Sequence, residues 1–128
     1  MVTTRVLHNA EAAVAKLTAF LREPVLTDRD RAGVIQAFEF TFEATWKLLK
    51  HAAEREGLDA ESPTRALIAG HKLGHVKDET LWLEMLQDWN LKSHVYHSEL
   101  ADRIFAAINT RYAAALTDAI TQVSIALR

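Results

Sequence analysis

The chain has 128 residues, of which 49% are apolar and 25% charged, a balance that suits one folded domain over 1–128 and favours neither a disordered chain nor a membrane protein. It contains no cysteine, which rules out disulfides, thiolate metal sites and a cysteine nucleophile, and a reducing cytoplasm is the expected setting. A formal net charge of −2 is too small to draw the chain to nucleic acid over a distance, so any RNA contact has to be local.

Met1 to Arg5 lead into a mixed stretch rather than an apolar leader, and no run approaches the length of a membrane span. With two prolines and four glycines, and no sustained alternation of apolar and polar residues, helical periodicity governs the chain. Leu7, Ala10, Val14, Leu17 and Leu21 recur at three- and four-residue steps and predict a first helix closed by Pro24. A second helix, capped by Asp28 or Asp30, carries Ile35, Phe38, Phe42, Trp46 and Leu49 on one stripe and stops near Gly57, a residue suited to a left-handed terminus. Ser62 and Pro63 read as an N-cap and a first helical residue, opening a short helix through Leu67 and Ile68 that ends around Gly70 or Gly74. Asp78 caps the next helix, whose apolar face is Leu81, Trp82, Met85, Leu86 and Trp89. A last long helix turns Ile104, Ile108, Leu116, Ile120, Val123 and Leu127 inward. The expected fold is all-α, an antiparallel bundle of four main helices and one short one.

The densest chemistry lies between Asp88 and Tyr96, where an amide, a hydroxyl, an imidazole and a phenol crowd together. On a helix, Asn90 and His94 would share a face, so the amide could orient the imidazole. A histidine titrating near neutrality can pass a proton to or from a ribose hydroxyl, which metal-free RNA cleavage requires. The alternative is that His94 is a satisfied bundle histidine. Gln36, Glu39, Glu43, Lys47 and Lys50 follow one another along the second helix, away from the aromatic stripe. They read either as a solvated face tied by opposite-charge pairs or as a face for another chain, the latter because Phe40 lies off the main stripe.

Other signals fail on context. Asp28 and Asp30 resemble the paired magnesium-binding aspartates of nucleotidyltransferases, but no glycine–serine turn and no sheet accompany them. His71 and His75 have the spacing of helical zinc ligands, yet Gly74 lies between them and no glutamate follows His71. No metal site and no cofactor are expected.

Four pieces, in order and spacing, carry a resemblance along most of the chain: Arg31 to Glu43 with Trp46, Lys47 and Lys50; Ser62 to Arg65; Trp82 to Met85; and Asn90 to Tyr96. In these the chain resembles the nucleotidyltransferase substrate-binding proteins grouped with the HEPN superfamily, of the HepT-like kind. The resemblance implies a helical, homodimeric subunit encoded beside a minimal nucleotidyltransferase, in many members the toxin of a toxin–antitoxin pair. It also implies RNA cleavage in active members, where an arginine is followed at fixed spacing by a histidine and then a tyrosine. Here His94 and Tyr96 match but Trp89 stands at the arginine position, and an indole cannot hold a phosphate bidentately. Tyr96 matches the residue that the partner transferase modifies with adenylate. Two readings follow. One is a partner subunit adenylylated on Tyr96 or presenting the transferase's substrate, with Glu39, Phe40, Glu43, Lys47 and Trp89 as the partner or dimer face. The other is a metal-independent ribonuclease using His94, with Asn90 orienting it.

Overall fold

The computed structural model describes residues 2–91 and 98–127, and among these the only regular structure is helical. The elements are α1 (Val2–Arg22), α2 (Asp28–Arg55), α3 (Pro63–Lys72), α4 (Glu79–Asn90), α5 (Ser98–Ala107), a π turn (Ile108–Tyr112) and α6 (Ala113–Ala126). The last three form one unbroken helical run, so the expected last long helix is present but is interrupted by a turn wider than an α-helical one.

Local chemistry sets most of the boundaries. Thr27, rather than the expected Asp28 or Asp30, caps α2. Its hydroxyl accepts the Asp30 N–H at 3.1 Å, while the Asp30 carboxylate accepts the N–H groups of Thr27 and Leu26 at 3.2 and 3.0 Å. This reciprocal pair satisfies donors that the first turn leaves open, a stabilisation of about 1 kcal/mol. The backbone N–H of Leu26 is the main cause that holds the Asp30 carboxyl below its usual range. At the other end of α2, Gly57 takes φ 76°. That left-handed turn lets Leu58 and Gly57 donate to the carbonyls of Ala53 and Glu54, both at 3.0 Å. Gly74, at φ 83°, ends α3 in the same way, with His75 and Gly74 bonded back to Gly70 and His71. Ser62 and Asp78 cap α3 and α4 as expected, accepting from the N–H groups of Arg65 and Leu81.

Successive long helices run antiparallel. Thr41 of α2 bonds the carbonyl of Ala13 in α1, and Gly33 of α2 faces Phe20 of α1, so the two helices are read in opposite directions. Glu84 and Asp88 of α4 meet Arg111 and Arg103 in reverse order. α2 is the central element. Its Phe38 stacks on Tyr112 with ring centroids 5.6 Å apart, and its Phe42 meets Trp82 at 6.2 Å and Trp89 at 5.1 Å. Phe38, Phe42, Trp82 and Tyr112 are fully buried together with Leu17, Met85, Ile104 and Leu116. Each large side chain so buried contributes roughly 1.5–3 kcal/mol. Among the described residues no helix is long and apolar enough to cross a membrane.

Candidate functional site

The most unusual chemistry of the described residues lies between α4 and the last helical run. Glu84 and Asp88 are four apart on α4 and so project from one face of it. Asp88 is buried, its side chain only 4% exposed, although it is a carboxylate. It is fully engaged. Oδ1 accepts Nη2 of Arg103 at 2.8 Å, and Oδ2 accepts Nη1 of Arg103 at 3.3 Å and the Tyr112 hydroxyl at 2.5 Å. One turn earlier, Glu84 takes a forked pair of bonds from Arg111 at 3.0 and 2.8 Å. Arg111 and Tyr112 are consecutive, and both reach α4 from the π turn.

The charges reinforce one another. The forked Arg111 guanidinium holds the Glu84 carboxyl below its usual range. Burial, then the bond to Asp88, pushes the Tyr112 phenol far above its usual range, so it stays a donor at every physiological pH. No buried side-chain polar atom among the described residues lacks a partner.

The cluster adjoins the stretch singled out in the sequence. Asn90 is the last residue of α4 and is exposed, and Leu91 is the C-cap. The helical relation expected between Asn90 and His94 falls on residues outside those described. His94 and Tyr96 lie outside the described residues. Trp89, expected both on the apolar face and on a partner face, is half-buried and turned onto its own bundle: its indole N–H donates to the Glu39 carbonyl at 3.2 Å and its ring meets Phe42. Of the remaining face residues, Glu43 and Lys47 pair at 3.0 Å one helical turn apart, Glu39 is half-buried, and Phe40 is 60% exposed. Glu39 also borders a cleft of about 270 Å³ at the start of α2, shared with Arg29, Gln36 and Ala101.

His71 lies in α3 and His75 beyond the left-handed turn at Gly74, so the two do not share a helix face. The His71 ring is bonded to the Val76 carbonyl at 2.8 Å, and His75 is buried. Asp28 pairs with Arg31 at 3.1 Å, and Asp30 caps α2.

Sequence reasoning assigned no joint role to Glu84, Asp88, Arg103, Arg111 and Tyr112. A signal was present: two carboxylates four apart on one helix, followed by two arginines eight apart, one face of acid and one of base.

With the bundle and this cluster in view, comparison with known proteins assigns the family. The model for nucleotidyltransferase substrate binding protein like sequences matches residues 5–125. The chain belongs to that family. A crystal structure of a protein from Thermus thermophilus is similar to it at 32% identity and a TM-score of 0.81, covering 89% of this chain and 98% of that one. A Haemophilus influenzae protein, described as revealing the fold of a substrate binding domain of a nucleotidyltransferase, shares the fold at 23% identity and a TM-score of 0.70, covering 96% and 97%. No curated protein matches. In this substrate-binding-protein-like chain, both the Asn90 to Tyr96 stretch and the Asp88 cluster fall within the matched residues.

Proposed function

We propose that this chain is the helical partner subunit of a two-component nucleotidyltransferase system of toxin–antitoxin type, and that the partner transferase adenylylates it on Tyr96. The observation that carries the reading is the family match over residues 5–125, within which Tyr96 stands at the position that the resemblance marks for modification. The chain has no transferase apparatus of its own among the described residues, where Asp28 and Asp30 serve an ion pair and a helix cap. In the proposed step the Tyr96 phenol oxygen attacks the α-phosphorus of a nucleoside triphosphate held by the transferase. An oxygen–phosphorus bond forms, pyrophosphate leaves, and the phenolic proton passes to a base on the transferase. The subunit acts as a homodimer in the cytoplasm, and the face bearing Phe40, Glu43 and Lys47 is its candidate contact surface.

Metal-independent RNA cleavage by His94 is the weaker reading. Trp89, at the arginine position of active relatives, gives its single N–H to Glu39 and its ring to Phe42, which leaves it no means of gripping a phosphate.

Intact-mass analysis with peptide mapping tests the proposal, comparing the chain expressed alone with the chain co-expressed with the nucleotidyltransferase encoded beside it. An adenylate-sized increment on Tyr96 is the expected result, and an unchanged mass in a stable complex would replace it with a subunit that presents the transferase's substrate.

A further inference from the structure

Two exposed phenylalanines, Phe20 of α1 and Phe40 of α2, mark the side of the bundle where these helices meet. On α2, Arg29, Gly33, Gln36, Phe40, Ala44 and Lys47 recur at steps of three and four, so they share one face, and none of them is buried. A seam with an aromatic ring at its middle and small residues on either side has the relief that a second helix packs into. Seven residues before Phe40, about 10 Å along the helix, the seam opens on a depression of about 300 Å³. Phe20, Pro24, Val25 and Val34 line it. Gly33 keeps its mouth open: only the Phe20 ring comes within 4 Å of where a side chain there would begin.

Phe40 cannot reach this depression in its own chain, because both belong to one straight helix face. A second copy brings the two together. We propose that the chain self-associates through this seam, with α2 antiparallel to the α2 of a second copy and the Phe40 ring of each seated in the depression beside Gly33 of the other. The two-fold axis then crosses α2 between Gln36 and Ala37, midway from Gly33 to Phe40, and both depressions fill at once. A symmetric dimer needs that self-complementarity, in which residue i meets j while j meets i. Charge selects the direction. A parallel pairing sets Arg29 against Arg29 and Lys47 against Lys47, whereas the antiparallel one lays Arg29 beside the second copy's Glu43. This rests on the reading of the subunit as a homodimer and gives that dimer its face and register.

Sedimentation velocity of the full chain over a range of concentrations tests the face. Each dimer buries two Phe40 rings, so Phe40→Glu is expected to weaken self-association by at least roughly 100-fold, with an unchanged circular dichroism spectrum. Gly33→Leu, which fills the depression from its own chain, should weaken it too. Thiol cross-linking tests the register. The chain has no cysteine, so one introduced thiol reports on this contact alone. Two copies of Gln36 flank the axis, while two copies of Lys47 stand about 30 Å apart, far beyond the roughly 7 Å between Cα atoms that a disulfide can span. Mild oxidation should therefore link Gln36→Cys into a covalent dimer and leave Lys47→Cys monomeric on a denaturing gel. If Phe40→Glu does not fold, Gly33→Leu and the two cysteine variants carry the same comparison. A dimer that survives in folded Phe40→Glu overturns this face and leaves the homodimer reading standing, and a cross-linked Lys47→Cys overturns the register. A monomeric wild type overturns both the face and the homodimer reading. A Phe40→Glu that stays dimeric but no longer holds the co-expressed transferase would assign the seam to the transferase instead.

Discussion

The Tyr112 hydroxyl donates to the buried Asp88 carboxylate at 2.5 Å, joining the π turn to the last turn of α4 across 24 residues of sequence. Both groups are buried, so removal of the hydroxyl strips a partner from a carboxylate that water reaches poorly. Tyr112→Phe is expected to cost about 1–3 kcal/mol in urea unfolding, with an unchanged slope. The phenol also gives a spectroscopic signature. Its folded value lies above its ordinary 10.0, so the stability it lends is fully present below pH 10 and is lost as the pH rises beyond it, when only the unfolded chain releases the proton. Tyr96 and Tyr112 are the two tyrosines of the chain. In Tyr96→Phe, the tyrosinate absorbance should therefore appear together with alkaline unfolding, and a phenol ionising near pH 10 in the folded state would contradict the burial.

His75 should make the chain sensitive to mild acid. Burial lowers its value from 6.5, only partly opposed by the charge of Glu56, so between the two values the unfolded chain binds a proton that the folded chain refuses. Stability is then highest above pH 6.5 and falls as the pH drops through and below it. Urea midpoints measured from pH 7.5 to 5 should show this slope in wild type, and His75→Gln should flatten it. An equal slope in both would assign the acid sensitivity elsewhere.

Much of the bundle was legible because its determinants are local. Ser62 with Pro63, Asp78, and Gly57 each announce a helix end through chemistry within a few residues, and the stripe through Phe38 and Phe42 follows from helical periodicity. Thr27 was missed because an aspartate three residues on can either cap or answer a cap, and only the direction of the hydrogen bonds separates the two. The π turn is invisible to a periodicity search, since Ile108 and Leu116 point inward whether or not the helix widens between them. At the candidate site, nothing local in the sequence marks Asp88 as buried. Its burial depends on Arg103 and Tyr112, which only the folding of α4 against the last run brings to it.

Two helical glycines should respond oppositely to alanine. At Gly70, a methyl group would sit 3.1 Å from the Val76 side chain and 3.2 Å from that of Leu49, in a buried contact that has little room to give. Gly70→Ala is expected to lose about 1–3 kcal/mol through overpacking. At Gly33, inside α2, the nearest atom is 3.9 Å away, an ordinary contact. Gly33→Ala should gain about 0.5–1 kcal/mol from helix propensity and a less flexible unfolded chain. Thermal melts of the two variants should move in opposite directions, and a stabilised Gly70→Ala would mean that α3 packs on α2 less closely than these distances require.

Trp89→Arg separates the two functional readings most sharply, because it puts an arginine where the resemblance to RNA-cleaving proteins would expect one. The structure sets the energetic side of the outcome. The indole ring lies 5.1 Å from Phe42, and its N–H bonds the Glu39 carbonyl at 3.2 Å, so arginine loses the ring contact and places a charge beside an apolar core. A fully buried tryptophan cut to alanine costs about 3–5 kcal/mol, and for this half-buried one a loss of roughly 2–3 kcal/mol is expected. Trp89→Phe keeps a ring against Phe42 and forfeits only the hydrogen bond, so its loss should be nearer ~1 kcal/mol. If Trp89 is a structural residue of a partner subunit, neither variant gains RNA cleavage on a fluorogenic substrate, and adenylate still reaches Tyr96 in Trp89→Phe. Cleavage that emerges in Trp89→Arg and disappears on adding His94→Ala would instead mark the chain as a ribonuclease silenced by one side chain.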